Sequence, residues 1–250
     1  MSLDKANAIR AMKGREKIAV LTAYDFAMAK VVDDAGIPVI LVGDSLGMVV
    51  LGYPDTTRVT MDEMEHHIRA VARANPRALI VADLPFQSYE SSEQAVANAQ
   101  RLIAAGAQAV KAEGGRDILP QVQAIISAEI AFLGHLGMLP QHVLEEGGYH
   151  IKGKTNLERD QLLADAKALE GAGAFGLVLE LVTASVAQQI TDSVSIPTIG
   201  IGSGPKCDGQ VLVTTDLWGT SPGFIPRHVK PQFQIAEQMK AAIANWKASI

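Results

Sequence analysis

A regular alternation of two kinds of segment constrains the fold of this chain more than any other feature. Short runs rich in β-branched and aliphatic residues alternate with alanine-rich helical stretches, as is typical of βαβ units whose parallel sheet is buried on both faces. We count eight such runs, which predict an α/β fold with a closed (β/α)₈ barrel. The predicted strands are Lys17–Tyr24, Ile37–Asp44, Ala78–Leu84, Ala109–Glu113, Ile130–His135, Gly176–Glu180, Ile196–Ile201 and Gln210–Thr214.

The segments between the predicted strands have the character of amphipathic helices. Ser92–Ala105, Leu157–Ala172 and Ala184–Ser193 are examples, and several helical stretches run into the Ala-Gly pair of a glycine C-cap. The first of these helices is expected to end at Gly36. No Pro/Ser-rich linker, low-complexity tract or block of like charges divides the chain, so residues 1–250 are predicted to form a single barrel domain.

Composition excludes several kinds of partner. The formal net charge is −5, and Lys and Arg never gather into the basic stripe that a phosphate backbone requires, so we expect no nucleic-acid partner. Cys207 is the only cysteine, which excludes an internal disulfide and is compatible with a reducing, cytoplasmic compartment. No signal-peptide pattern stands at the N-terminus, and no apolar run approaches the roughly 18 residues of a membrane span, so we expect no membrane partner.

Polar residues recur at the ends of successive predicted strands. In a closed barrel of this kind the carboxyl ends of the strands form one rim, where the loops converge to build the active site. A single carboxylate after a strand is usually a helix N-cap or a solvated turn, but recurrence on six strands favours a functional site. The residues at these ends are Tyr24 and Asp25, Asp44 and Ser45, Asp83, Lys111 and Glu113, His135, and Glu180.

Asp44, Asp83 and Glu113 are expected to converge as an acidic cluster on this rim. Three carboxylates without a cation would repel one another, and oxygen ligands without cysteine suit Mg²⁺ better than zinc. The structural alternative is an ion pair between Glu113 and Lys111, because two residues two apart on a strand share a face. An ion pair and a metal site can coexist if Glu113 acts through a bound water.

Three other segments carry weaker signals. The glycine-rich stretch Gly200–Gly204 is compatible with a phosphate-binding loop and equally with a tight connection between a strand and a helix. His66 and His67 are adjacent in a polar helical stretch, do not share a face, and are interpreted as surface histidines. Trp218 and Phe224 lie in or beside a Gly/Pro-rich region that is expected to be an ordered loop at a pocket or a subunit contact.

A set of short motifs, in their order and spacing from about Lys17 to His228, resembles ketopantoate hydroxymethyltransferase. Val42-Gly-Asp-Ser-Leu-Gly47 alone is shared with the wider phosphoenolpyruvate mutase and isocitrate lyase superfamily, whereas the later motifs narrow the resemblance to the transferase. The motifs are Leu21-Thr-Ala-Tyr-Asp25, Val42-Gly-Asp-Ser-Leu-Gly47, Ala82-Asp-Leu-Pro-Phe86, Val110-Lys-Ala-Glu-Gly-Gly115, Gly134-His-Leu-Gly137, Leu179-Glu180, Ile199-Gly-Ile-Gly202 and Asp208-Gly-Gln-Val-Leu-Val213.

The resemblance implies a reaction, a cosubstrate and residue roles. The family moves a hydroxymethyl group from 5,10-methylenetetrahydrofolate to the 2-keto acid 3-methyl-2-oxobutanoate through a Mg²⁺-stabilised enolate. The products are 2-dehydropantoate, a precursor of pantothenate, and tetrahydrofolate. The implied roles are metal binding for Asp44, Asp83 and Glu113, keto-acid binding for Asp44, Ser45, Asp83, Lys111 and His135, and catalytic base for Glu180.

Some expectations stay open at the level of the sequence. His135 is a rival for the catalytic base, because an imidazole transfers protons near neutral pH without any tuning. The chain departs from the family pattern at Ala112, where a larger apolar residue is usual, and at Leu181-Val-Thr183, where Cys-Val-Pro is frequent. The resemblance also implies a large homo-oligomer such as a decamer.

Two competing functions are weighed against the transferase. A carbon–carbon lyase or mutase of the same superfamily would use related enolate chemistry without folate, but such lyases usually carry a reactive cysteine on a mobile loop. Cys207 follows the seventh predicted strand instead. A catalytically silent relative that only binds keto acids is the other alternative, and the complete set of polar residues at the strand ends argues against it.

Overall fold

The chain forms alternating strands and helices in a computed structural model that describes residues 2–221, 226, 229–230 and 232–250. Three short 3₁₀ turns lie in the loops, and the one at Pro140–His142 matters for the site. The helices are α1 Ser2–Ala11, α2 Phe26–Asp34, α3 Leu46–Val49, α4 Met61–Ala72, α5 Ser92–Ala105, α6 Leu119–Ser127, α7 Asn156–Ala172, α8 Ala184–Ser193, α9 Thr214–Trp218 and α10 Ile235–Ala248. The strands are β1 Ile18–Thr22, β2 Val39–Val42, β3 Leu79–Asp83, β4 Ala109–Glu113, β5 Ala131–Gly137, β6 Gly176–Glu180, β7 Thr198–Ile201 and β8 Gly209–Leu212.

The strands close into a parallel barrel in sequence order. Each strand pairs with the next, and β8 pairs with β1 through the register Val20↔Val211, so the sheet has no open edge. The predicted (β/α)₈ barrel, a TIM barrel, is therefore confirmed. All carboxyl ends of the strands lie at one rim, which brings together residues that are far apart in sequence.

Apolar side chains fill both faces of the barrel wall. The interior is packed by residues from alternate positions, such as Val20, Leu41, Val81, Leu133 and Val178. A second, larger cluster lies between the outer face of the strands and the helices. Because both faces of the strands are covered, their sequences are nearly continuous apolar runs rather than alternating ones.

The predicted elements agree with the structure, with differences at their ends. The helices at Ser92–Ala105 and Ala184–Ser193 have the expected bounds. Helix α5 is followed by Gly106, which forms the C-cap in a left-handed conformation with φ of 118°. Several strands are shorter than predicted, because residues such as Tyr24 and Asp44 already belong to the loops. The first helix was expected to end at Gly36, but α2 ends two residues earlier, at Asp34.

The terminal helices differ in how they pack. Lys5 on α1 donates to the carbonyls of Pro76 and Ala78, so α1 lies against the amino-terminal end of the barrel. Helix α10 contributes no buried residue and exposes Ile243 and Trp246. Within the described residues, no helix is both long enough and apolar enough to span a membrane.

Candidate active site

Six neighbouring strand ends deliver the expected polar residues to one rim of the barrel. The pairing register places Asp83 beside Lys111 and Glu113 beside His135, so β3, β4 and β5 present these side chains next to one another. Asp44 follows β2 directly, and Glu180 is the last residue of β6. All of them are buried except Glu180, which is half-buried at the outer side of the group.

Lys111 is the cationic centre of this group. Its Nζ lies 3.1 Å from Asp83 Oδ1 and 3.0 Å from His135 Nδ1, and its side chain is 4% exposed. Burial alone would lower the pKa of Lys111, but the carboxylates of Asp83, Glu113 and Asp44 together hold that pKa above its ordinary value. The ammonium group is therefore charged, and it contacts Asp83 rather than Glu113, the partner considered from the sequence.

The acidic residues around Lys111 carry more negative charge than one lysine neutralises. Burial, followed by the nearby carboxylate of Asp83, raises the pKa of Asp44 to about 7. Burial and the carboxylate of Asp44 raise the pKa of Glu113 well above its usual range. Both shifts mean that the ionised acids lack compensating charge in this environment.

This donor set suits a hard divalent cation. Asp44 and Asp83 are adjacent, since the Asp44 backbone N–H donates to Asp83 Oδ2 at 3.1 Å, while Asp83 Oδ1 faces the Lys111 ammonium at 3.1 Å. Two adjacent buried carboxylates, of which Asp44 has a raised pKa, form a set of oxygen donors that a cation would stabilise. Within the described ranges, however, no three acidic, histidine or cysteine residues stand close enough to hold a metal together, so the set with Glu113 stays a prediction.

His135 is held as a neutral ring between Lys111 and Glu180. Burial and the charge of Lys111 lower its pKa well below the usual value. A charged lysine has only donors, so Nδ1 must accept from it and the ring proton is assigned to Nε2. Nε2 lies 3.4 Å from Glu180 Oε2.

Ser45 stands beside Asp44 at the end of β2. Its hydroxyl is 2.9 Å from the hydroxyl of the buried Tyr24, which follows β1. A Cβ at Gly43 would lie 2.9 Å from Ser45 Oγ and 3.4 Å from Asp83 Oδ2, so only glycine leaves these side chains in place. The absence of a side chain at Gly43 therefore leaves room for Ser45 and Asp83 at the rim.

Two residues at the centre of the site were not expected from the sequence. Gln141, in the 3₁₀ turn after β5, is buried and bonds to Asp44 through its side chain and to Glu113 through its backbone N–H. Tyr89, in the loop after β3, donates to Gln141 Oε1 at 2.6 Å. No periodicity or motif marks either residue, because the contacts join loops of different strands.

Tyr149, in the loop between β5 and α7, lies close enough to the acids of the site to feel their charge. Burial, followed by the charge of Glu180, raises the pKa of its phenol to about 12, and Asp44 and Glu113 act in the same direction. Its hydroxyl donates to Met48 Sδ, at 3.9 Å. No pattern in the sequence marks this residue, which stands in a glycine-rich segment without alternation.

The weaker sequence signals have structural explanations. In the Gly200–Gly204 loop, the buried Ser203 donates to Leu179 O and accepts from Val182 N, which agrees with a tight connection to β6. Cys207 is buried, and burial raises the pKa of its thiol, so it lacks the character of a nucleophile.

The expectations for histidines and aromatic residues have different outcomes. His66 is exposed as expected, but His67 is half-buried and its Nδ1 lies 2.6 Å from the Tyr24 carbonyl, so the surface interpretation is wrong for His67. His67 is half-buried because α4 packs beside the loop that follows β1. Trp218 ends α9 and is half-buried, whereas Phe224 lies outside the described residues.

The barrel fold of this chain is similar to that of several solved structures. A solved structure of phosphonopyruvate hydrolase in complex with oxalate and Mg²⁺ superposes with a TM-score of 0.64 at 16% identity, over 84% of this chain and 80% of that one. A 2,3-dimethylmalate lyase, described as a PEP mutase/isocitrate lyase superfamily member, gives a TM-score of 0.61 at 16% identity, over 98% and 86%. At this identity the comparisons establish a common fold.

Sequence comparison is more specific. A family model described as ketopantoate hydroxymethyltransferase matches residues 4–250. Relatives named 3-methyl-2-oxobutanoate hydroxymethyltransferase include one from Ignicoccus hospitalis, 54% identical over 95% of this chain and 90% of the relative. Another from Thermotoga maritima is 51% identical over 100% of this chain and 92% of the relative. The chain, with its barrel and its polar rim, therefore belongs to the ketopantoate hydroxymethyltransferase family of enzymes.

Proposed function

We propose that this chain transfers a hydroxymethyl group from 5,10-methylenetetrahydrofolate to 3-methyl-2-oxobutanoate, giving 2-dehydropantoate and tetrahydrofolate. The keto acid loses its C3 proton and C3 bonds to the one-carbon unit, whose bonds to N5 and N10 of the folate break. One water supplies the hydroxyl group, and the C3 proton and the second proton of that water end on the two folate nitrogens. The family assignment supports this proposal together with one observation of the site. That observation is a buried, charged Lys111 among acids, 3.0 Å from a neutral His135 that faces Glu180.

The keto acid binds where positive charge and hydroxyl donors meet. Lys111 neutralises the developing charge on the carbonyl oxygen as the enolate forms, and Ser45 donates to the carboxylate side. Asp44 and Asp83 would hold Mg²⁺, with Glu113 in the metal environment, and the ion would supply Lewis-acid polarisation of the keto acid. Burial strengthens each of these contacts, because the site is shielded from bulk water.

Glu180 takes the proton from C3. Its position at the end of β6, half-buried and beside the His135 ring, places a carboxylate at the outer side of the lysine. His135 is the weaker candidate, since its Nδ1 lone pair accepts from Lys111 and its Nε2 carries the ring proton. The imidazole instead accepts from Lys111 and holds its ammonium group in place.

Product identification tests the reaction directly. The protein is incubated with 3-methyl-2-oxobutanoate, Mg²⁺ and 5,10-methylenetetrahydrofolate, and 2-dehydropantoate is measured by mass spectrometry. A parallel incubation without folate separates the two kinds of enzyme. A transferase needs the folate to form its product, whereas a lyase or mutase of the superfamily does not. The buried Cys207 gives no support to a lyase. An absence of any product with all components present would instead favour a silent keto-acid-binding relative.

The remaining proposals concern the assembly and its surroundings. We propose that the chain is a homo-oligomer, such as a decamer, and acts in the cytoplasm as a single domain over residues 1–250. Helix α10 supports an oligomer, because it exposes Met239, Ile243 and Trp246 while none of its residues is buried. Such an apolar face is usually covered by another surface.

A further inference from the structure

Gln141 connects three strand ends of the site from the loop after β5. Its side-chain Nε2 donates to Asp44 Oδ2 at 2.8 Å and to Leu84 O at 2.9 Å, and its backbone N–H donates to Glu113 Oε2 at 2.9 Å. The residue is 2% exposed. One buried residue therefore touches the carboxyl ends of β2, β3 and β4, at residues that are 97, 57 and 28 positions away in the sequence.

The orientation of the Gln141 amide follows from its partners. A carboxylate oxygen and a backbone carbonyl accept hydrogen bonds only, so the NH₂ group must face Asp44 and Leu84. The amide oxygen is then directed to Tyr89, whose hydroxyl donates to it at 2.6 Å. A rotated amide would place its oxygen against the Asp44 carboxylate, and the Tyr89 hydroxyl opposes that rotation.

The chemistry of the donors suits a cation site. An amide N–H fixes the direction of a carboxylate without cancelling its charge, whereas a lysine in the same place would compete with a cation. Gln141 holds one oxygen each of Asp44 and Glu113, two residues that approach from strands that do not pair with each other. Gln141 thereby sets the relative orientation of two carboxylates that would otherwise repel each other.

We propose that Gln141, oriented by Tyr89, is a positioning residue that aligns the carboxylates of Asp44 and Glu113 for a divalent cation. The inference rests on the proposed function, since it takes a cation at these acids. A purely structural role would instead tie the loops together and leave affinity for the cation unchanged. Affinity for the metal alone therefore distinguishes the two roles.

The test measures Mn²⁺ binding by electron paramagnetic resonance, without keto acid or folate, in Gln141→Met and Tyr89→Phe. We expect Gln141→Met to weaken Mn²⁺ binding by roughly tenfold or more, in the range found for partners of metal ligands. Tyr89→Phe should weaken it by a smaller factor. Tyr53→Phe is the matched control, because it removes a tyrosine hydrogen bond to Glu63, away from these acids, and should bind Mn²⁺ as the unmutated protein does.

Each outcome decides the role of Gln141. Unchanged Mn²⁺ affinity in both variants overturns the inference, even if thermal unfolding shows a loss of stability. If Gln141→Met does not fold, Tyr89→Phe decides alone by the same criterion. Binding that is lost in Asp44→Ala but kept in both variants contradicts only this inference. An unmutated protein that binds no Mn²⁺ contradicts the metal in the proposed function as well.

Discussion

At the scale of single residues, the site depends on a lysine that is buried among acids. Lys111 contacts Asp83 and His135 and remains charged because the surrounding carboxylates offset the cost of its burial. A charged donor that is fixed before the substrate arrives needs no reorganisation as negative charge develops on the substrate oxygen. We therefore propose an electrostatic role for Lys111, with proton removal by another group.

Replacement of Lys111 by methionine tests this role. Lys111→Met keeps the length and the apolar stem but removes the charge, so we expect weaker keto-acid binding. The rate of C3 proton exchange should fall by at least about 100-fold. Affinity is measured by calorimetry and exchange by proton NMR in deuterated water. Lys13→Met is the matched control, since Lys13 pairs with Asp208 at 2.8 Å, before β8, outside the rim.

If Lys111→Met leaves both the keto-acid affinity and the exchange rate unchanged, the lysine forms only a structural ion pair with Asp83. The control variant separates a loss of stability from a loss of function. It should unfold more readily yet exchange at the unmutated rate.

At the scale of elements, the junction between β5 and β6 sets the position of Glu180. Gly137 pairs with Glu180 in the register, has φ of 100°, and precedes the Met138 N–H, which donates to the Glu180 carbonyl at 2.8 Å. A Cβ at Gly137 would collide with that carbonyl oxygen. The glycine is therefore required by close backbone approach and by a left-handed conformation.

We accordingly expect Gly137→Ala to displace the end of β6 and to lower the exchange rate by at least about tenfold, since small displacements of catalytic groups cost about that much or more. Gly171→Ala is the control, because Gly171 is in α7 and a Cβ there meets nothing within 4 Å. That variant should keep full activity. Equal activity in both variants would show that the β5–β6 junction does not position the base.

The elements and the site differ in how far the sequence predicts them. Strands and helices follow local periodicity, so the existence and order of all eight strands and the bounds of α5 are predicted correctly, while the ends of most strands differ. Asp44, Asp83, Lys111, His135 and Glu180 share a rim because the ends of parallel strands must meet there.

The same reasoning does not predict that Gln141 and Tyr89 belong to the site. Their contacts join loops that are 52 positions apart, and no local pattern encodes a partner at that distance. The same holds for His67, which appears polar and exposed on its own helix but meets a carbonyl of another loop. Contacts between loops depend on the closed barrel and are visible only once the barrel is assembled.

At the scale of the whole molecule, the proposed oligomer should depend on α10. We expect a native mass several times the 26.5 kDa of one chain, measured by mass photometry. A variant that combines Ile243→Glu and Trp246→Glu should shift to smaller species, because charges would replace the exposed apolar face. Lys247→Glu, on the same helix, is the control. A monomeric unmutated protein, or no shift in the double variant, would contradict this prediction.

We propose that the barrel as a whole assembles an enolising site. Loss of the C3 proton of 3-methyl-2-oxobutanoate in deuterated water, with Mg²⁺ and without folate, tests that proposal most directly. Glu180→Gln should lower the exchange rate by roughly two orders of magnitude, and His135→Asn should have the smaller effect. Glu146→Gln, a rim carboxylate paired with Lys152, should exchange normally. Exchange at the unmutated rate in Glu180→Gln, together with collapse in His135→Asn, would contradict the account and make His135 the base.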